Sequence, residues 1–178
     1  GIFVFYPGKA GGAFIKQYAQ AGLQGKIPLY SVFTVDSIAL PKLQKANMNG
    51  VMGSVMTQFW APDLDTPQNK KFVSGFKKKY GRYPSFYAAQ SYDTIFLIKS
   101  AVEAVKGDLS NKDVMRAAME KANFPSVRGK FSYGNNHFPI QNFYSREVVK
   151  DSDGVWTTSV REVVLKNHQD TYAKDCSM

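Results

Sequence analysis

Gly1-Ile-Phe-Val-Phe-Tyr-Pro-Gly-Lys-Ala-Gly-Gly12 is the stretch on which the fold turns. Ile2 to Phe5 is a short apolar run of β-favouring residues, followed at once by the breakers Pro7, Gly8, Gly11 and Gly12. Without polar alternation, such a run reads as a strand buried on both faces. A buried parallel strand needs neighbours on either side, yet only Gly1 stands ahead of it. The expectation is therefore a fold whose N-terminal part lies upstream.

Beyond the glycine turn, Phe14, Tyr18 and Ala21 mark one helical face, and Gly22 sits where helices commonly stop. Ile27 to Val32 reads as a second strand. Asp36 and Ser37 open a short helical stretch through Leu40 and Leu43, and Val51 to Met56 reads as a third strand. This β-loop-α-β-α-β order implies parallel strands joined by right-handed crossovers, an α/β fold.

The rest of the chain is punctuated by its own start and stop signals. Thr57 to Thr66 is a loop, Thr66-Pro67 opens a helix that Gly81 ends, and a longer helix runs from Ser85 to about Lys106 before Gly107. A third helix is expected from Ser110, with Asp113 three residues on as a short-armed capping box. Gly129 to Tyr133, Phe143 to Lys150 and Val155 to Leu165 read as strands, the last two paired through a turn at Asp151 to Gly154. Lys166 to Met178 is polar and is expected along the surface.

At 178 residues and 44% hydrophobic composition the chain can build a core, which excludes disorder. No run approaches the roughly 18 consecutive apolar residues of a membrane-spanning helix. The net charge of +9 invites a nucleic-acid reading. Much of it, however, sits on Lys70, Lys71, Lys77, Lys78, Lys79 and Arg82, interleaved with Phe72, Val73, Phe76 and Tyr80 at near-fourfold spacing. That is the solvated face of an amphipathic helix, and no nucleic-acid motif accompanies it. One cysteine, Cys176, cannot form a disulfide within the chain, and His137 and His168 have no zinc-ligand spacing, so no metal or cofactor is expected.

No enzyme signature is present: there is no nucleophile with a base, no carboxylate pair and no phosphate cradle, because the Tyr6 to Gly12 loop lacks dinucleotide-binding and Walker spacing. That loop reads as a tight turn, which can also face a ligand. Asp63 and Asp65 suit a surface turn better than a calcium loop. In open α/β sheets ligands bind beyond the carboxyl ends of parallel strands. Tyr6, Phe33 with Thr34, and Gln58-Phe-Trp60 follow the three strands, so three strand ends converge on one rim. A small-molecule site is expected there with aromatic rings, Ser31 and Gln58 as polar groups, and Lys9 for a carboxylate. Phe59 and Trp60 are equally readable as plain core.

Phe3-Val-Phe-Tyr-Pro-Gly8, Phe14-Ile-Lys-Gln-Tyr-Ala-Gln-Ala-Gly-Leu23, Tyr92-Asp93 and Arg128-Gly-Lys-Phe131 resemble the periplasmic solute-binding proteins of branched-chain amino acid type ABC transporters. Asn135-Asn-His-Phe-Pro-Ile-Gln141 and Asp175-Cys-Ser-Met178 are similar to a subgroup common in proteobacterial uptake systems. The resemblance implies a two-lobed type I periplasmic-binding-protein fold, with Rossmann-like lobes around parallel sheets and the N-terminal part missing. Residues 1–56 would belong to the second lobe, 57–142 would return to the first, and 143–178 would complete the second. It also implies no catalysis, export to the periplasm under a signal peptide, a membrane permease as partner, no nucleic acid, and a monomer when full length. An exported protein could supply an upstream partner for Cys176.

By the same carry-over Tyr6, Pro7, Gly8, Lys9 and Gly11, with Ser31 to Thr34, face the cleft, beside Gln58 and Trp60 from the strand-end argument. Amino-acid binders of the family present a glutamate to the ligand's ammonium where this chain places Phe33. A phenyl ring cannot replace a carboxylate, so an aromatic or other organic acid gains over a branched-chain amino acid. The expected function is capture of such a solute by cleft closure and delivery to the permease. A sensory domain of the same fold and, more distantly, a basic nucleic-acid binder are the rivals.

Overall fold

β1 (Ile2–Phe5), β2 (Leu29–Val32) and β3 (Val55–Gln58) form the parallel part of one sheet in the computed structural model, which describes residues 1–176. Ile2 pairs with Leu29 and Tyr30 with Val55. α1 (Lys9–Gln20) and α2 (Leu40–Lys45) make the crossovers and cover one sheet face. Val4, Leu29 and Met56 pack there with Ile15, Tyr18, Leu40 and Leu43, each contributing about 1.5–3 kcal/mol by burial.

Two strand expectations change. β1 is buried on one face only: Val4 is covered, while Phe3 is 73% and Phe5 57% exposed. Alternate side chains leave a strand on opposite faces, and among the described residues both crossover helices lie on Val4's side. β3 starts at Val55 rather than Val51, because Asn49–Val51 forms a 3-10 turn and Gly53 follows with φ 74°. Val51 reaches the same core from that turn.

α3 (Pro67–Tyr80), α4 (Phe86–Ala104) and α5 (Lys112–Glu120) follow. The Thr66 hydroxyl accepts from the Asn69 N–H at 3.2 Å and the Ser85 hydroxyl from Ala88 at 3.3 Å, the helix starts read in the sequence. The cap of α5 is Asn111, whose Oδ1 accepts from Asp113 and Val114, while the expected Ser110 donates its hydroxyl to Asp108. Asparagine caps as well as serine does and stands one residue nearer. Lys70, Lys71, Lys78 and Lys79 are exposed on α3 opposite the buried Phe72 and Val73.

β4 (Ser132–Tyr133) is shorter than expected because Gly129 lies in a turn with φ 84°. It pairs with the start of β5 (Pro139–Lys150), which runs antiparallel to β3 and to β6 (Trp156–His168). The Asp151 carboxylate closes the hairpin, accepting from the Asp153 and Val155 N–H groups. β6 continues through His168 into what had read as tail, and Ser177 and Met178 of that stretch lie outside the described residues. A second core gathers Phe59, Trp60, Phe72, Val73, Phe86, Ala89 and Val127. The β5–β6 ribbon joins the two cores, since Val148 and Trp156 belong to the first and Phe143 packs on the second.

Candidate functional site

Where β1 and β2 end, a cavity of about 490 Å³ opens. The start of α1 contributes Gly8, Lys9 and Gly12, the segment between β2 and α2 contributes Phe33, Thr34, Asp36, Ile38 and Ala39, and α2 contributes Lys42 and Leu43. Tyr87, on the first turn of α4, closes the side toward the second core.

The local chain conformations explain the shape. Gly8 is the residue before α1 and adopts φ 75°, a left-handed conformation that side chains with a Cβ disfavour. Gly11 allows close approach, because a Cβ there would stand 2.2 Å from the Tyr6 carbonyl oxygen. The Thr34 hydroxyl accepts the Tyr6 N–H at 2.9 Å and ties the two loops together. Phe33 also takes a left-handed conformation, φ 57°, which turns its ring between Phe5 and Phe86 with centroids 5.8 and 4.9 Å away. Its ring thereby bridges the first sheet and the second core.

The electrostatics favour an anion. α1 begins without a side-chain cap and without an acidic residue in its first turn, so its N-terminal N–H groups remain open. Lys9 and Lys42 border the cavity. Its one carboxylate, Asp36, already accepts the Ile38 and Ala39 N–H groups through Oδ1 at 2.8 and 3.0 Å. Among the described residues no group of histidine, cysteine and acidic side chains is placed to hold a metal.

Of the residues singled out in the sequence, Gly8, Lys9 and Phe33 line the cavity. Tyr6 and Pro7 are exposed beside it, Tyr6 resting on Phe14 at 5.7 Å, and Gly11 lies buried beneath the turn. Ser31 is 2% exposed and its hydroxyl has no hydrogen-bond partner. Gln58 and Trp60 are placed in the interior rather than on the wall. The Gln58 side chain accepts the Phe59 N–H, and the Trp60 indole N–H donates to Asn69 at 2.8 Å inside the second core. Asp36, Lys42 and Tyr87 were not singled out. Extending the strand-end rule through the first turn of the following helix reaches the first two, but nothing local to Tyr87 announces it, because α4 arrives through the tertiary fold.

The loop before β4 is held by a buried cluster. The Asp93 carboxylate on α4 accepts from the Ser126 hydroxyl, the Val127 N–H and Arg128 Nε, while Arg128 Nη1 donates to Gln141 on β5 at 3.0 Å. The guanidinium also lies 4.0 Å from the Phe131 ring centroid. This network fixes α4, and with it Tyr87, against the start of the ribbon.

A parallel sheet whose strand ends open between two cores, with an antiparallel ribbon running from one core to the other, defines the class of type I periplasmic-binding-protein folds. The chain belongs to the periplasmic binding protein family, whose sequence model matches residues 1–154. It is 32% identical over 164 residues to the Leu/Ile/Val-binding protein homolog 6 of Brucella abortus (strain 2308), a match covering 88% of this chain and 40% of that protein. The chain thus spans about 40% of the length of the curated relatives it matches. A solute-binding protein of an ABC transporter from R. palustris, solved with benzoate, aligns at TM-score 0.78 and 31% identity over 95% of this chain and 44% of that one. Another, from Rhodopseudomonas palustris BisB5 with 3,4-dihydroxy benzoic acid, aligns at TM-score 0.76 and 29% identity over 93% and 45%.

Proposed function

We propose that the protein captures a small aromatic carboxylate outside the cytoplasm and hands it to the permease of an ABC transporter, without catalysis. The observation that carries this reading is the pairing, in one cavity, of the Phe33 and Tyr87 rings with the uncapped start of α1 and the Lys9 ammonium. Rings accept an aromatic body at van der Waals distance, and open N–H groups at a helix start favour a carboxylate. The benzoate and dihydroxybenzoate bound by two similar proteins support the same ligand class. A branched-chain amino acid is disfavoured because the cavity's one carboxylate, Asp36, has its Oδ1 engaged by two backbone N–H groups, which leaves a single oxygen for an ammonium beside the Lys9 and Lys42 cations.

In this reading residues 1–56 form part of the second lobe, 57–142 the returning part of the first, and 143–178 the end of the second. The cleft lies between them and closes on the ligand. The two cores support that division. β6 from Val163 onward nevertheless pairs with residues 141–144 of β5, so the boundary crosses the ribbon obliquely.

Calorimetric titration of the full-length protein with benzoate, 4-hydroxybenzoate and leucine tests the proposal. Saturable binding of the aromatic acids, at least about tenfold tighter than leucine, is the expected result, a difference of about 1.4 kcal/mol. Tighter binding of leucine would overturn it.

A further inference from the structure

The segments that follow β1 and β2 present opposite polarities to the cavity. At the start of α1 the N–H groups are open and Lys9 is the first residue of the helix, so this end offers donors. The turn leading into α2 is closed instead by Asp36, whose Oδ1 accepts from the Ile38 and Ala39 N–H groups at 2.8 and 3.0 Å. Those two bonds hold the carboxylate in place and use one of its oxygens. Oδ2 accepts from no group, and Asp36 forms no ion pair, among the described residues, although its side chain lines the cavity.

The other polar side chains of the wall narrow what Oδ2 can receive. The Lys9 and Lys42 ammonium groups only donate. The buried Thr34 hydroxyl already accepts the Tyr6 N–H at 2.9 Å and gives its own proton to the Val32 carbonyl oxygen at 3.1 Å. Two side-chain acceptors on the wall are left without a partner among the described residues, Asp36 Oδ2 and the Tyr87 hydroxyl. The carboxylate is the stronger, because a hydrogen bond to an ionised acceptor is shorter and roughly twice as strong as one between neutral groups. An ammonium brought to Oδ2 would share the cavity with two lysine cations, whereas a neutral O–H meets no such repulsion.

We infer that Asp36 is a specificity-determining residue: its Oδ2 accepts the proton of a ring hydroxyl on an aromatic acid whose carboxylate lies at the start of α1. The ligand class narrows from aromatic carboxylates to those that carry a hydroxyl on the ring. A phenolic hydroxyl keeps its proton at neutral pH, as a tyrosine side chain does, so it reaches Oδ2 as a donor. The two ends of one ligand then meet the two polarities of the wall. This inference rests on the aromatic-carboxylate reading above and deepens it.

The test is titration of the full-length protein with benzoate, its ortho, meta and para hydroxy derivatives, and the matching methoxy compounds, which keep the oxygen but have no proton to donate. At least one hydroxybenzoate should bind about tenfold more tightly than both benzoate and its own methoxy counterpart, the scale of a hydrogen bond to a charged group. Asp36→Asn keeps an oxygen for the Ile38 and Ala39 N–H groups but presents an amide donor where Oδ2 stood. In that variant the preference over benzoate should shrink to about twofold or less. Benzoate itself should tighten, because a negative charge leaves the cavity, and its binding reports that the variant is folded. If no hydroxybenzoate exceeds benzoate in the unsubstituted protein, the inference is overturned whatever the variant does. A preference that survives undiminished in Asp36→Asn, as it would were the Tyr87 hydroxyl the acceptor, also overturns it. Either result leaves the ligand class standing. Absence of binding by benzoate and by every hydroxybenzoate would overturn the ligand class itself.

Discussion

Gly8 and Gly11 show how two identical residues three apart serve different physical needs. At Gly8 the need is conformational: φ is 75° and an added Cβ would meet nothing within 4 Å. Gly8→Ala should therefore cost about 1–2 kcal/mol of backbone strain. At Gly11 the obstacle is the Tyr6 carbonyl oxygen 2.2 Å away, a backbone atom that cannot swing aside. Gly11→Ala should cost about 1–3 kcal/mol and weaken benzoate binding as well, since relief requires moving the turn that borders the cavity. Urea denaturation and titration of both variants check this, and unimpaired binding in Gly11→Ala would contradict it. The sequence marks both positions as a turn but does not separate the two reasons. It likewise locates Phe33 beyond a strand, whereas its left-handed backbone and its contact with Phe86 depend on how the two cores meet. That Ser31 on β2 and Arg146 on β5 lie in one row of the sheet was hidden for the same reason, because it follows from the β2–β3 and β3–β5 registers, the second of which pairs residues some ninety positions apart.

Among the elements, α3 and the β5–β6 hairpin make a contact that responds to pH. The Tyr83 hydroxyl, just beyond α3, donates to Asp151 Oδ2 at 2.8 Å, and Lys77 Nζ lies 3.6 Å from the same oxygen and 4.2 Å from the Tyr83 ring centroid. Burial works to raise the Asp151 pKa, but the Tyr83 hydroxyl, the Val155 and Asp153 N–H groups and Lys77 together hold it below the usual carboxylate range. Burial and the bond to Asp151 push Tyr83 up, and the bond to Tyr83 raises Lys77. The signs agree. Asp151 contributes stability that is present above its unfolded pKa and is lost as pH falls through the lowered folded value. Tyr83 and Lys77 contribute stability that is present below their unfolded values and is lost as pH rises through the raised ones. Asp151→Asn keeps an acceptor for the hairpin turn and should cost about 1–2 kcal/mol at pH 7. It should also flatten the loss of stability below about pH 4, where carboxylates titrate. Urea midpoints at pH 7 and pH 3.5 report both effects, and an unchanged acid slope would count against them. Helix starts such as Thr66 and Ser85 are legible because a cap is a local bond. Strand limits are not, and β3 shortened while β5 and β6 lengthened because ladders are set by partners distant in sequence.

At the scale of the molecule, the sequence asks for more cover than the described residues provide. Phe3 and Phe5 alternate with Val4 in a run apolar on both faces, the pattern of a strand buried on both sides. Only Val4's face is covered, and Phe3, Phe5 and Tyr30, itself 46% exposed, share the open face of β1 and β2. α4 has a similar apolar surface at Ile95, 65% exposed, and Ile98. Contiguous apolar surface of this kind binds apolar dyes and promotes self-association. The 178-residue chain expressed as such should therefore enhance the fluorescence of 8-anilinonaphthalene-1-sulfonate at neutral pH. Its near-ultraviolet circular dichroism should stay intact, because the dye would be reading an ordered surface rather than a molten core. Replacing Phe3 and Phe5 together by threonine keeps β-propensity and should remove a large share of the enhancement at a cost of no more than about 0.5–1.5 kcal/mol, since neither ring belongs to the first core and only the edge contact of Phe5 with Phe33 is lost. If the enhancement persists undiminished in that variant, the dye is bound elsewhere and the open face of β1 and β2 is not the adhesive surface of this chain.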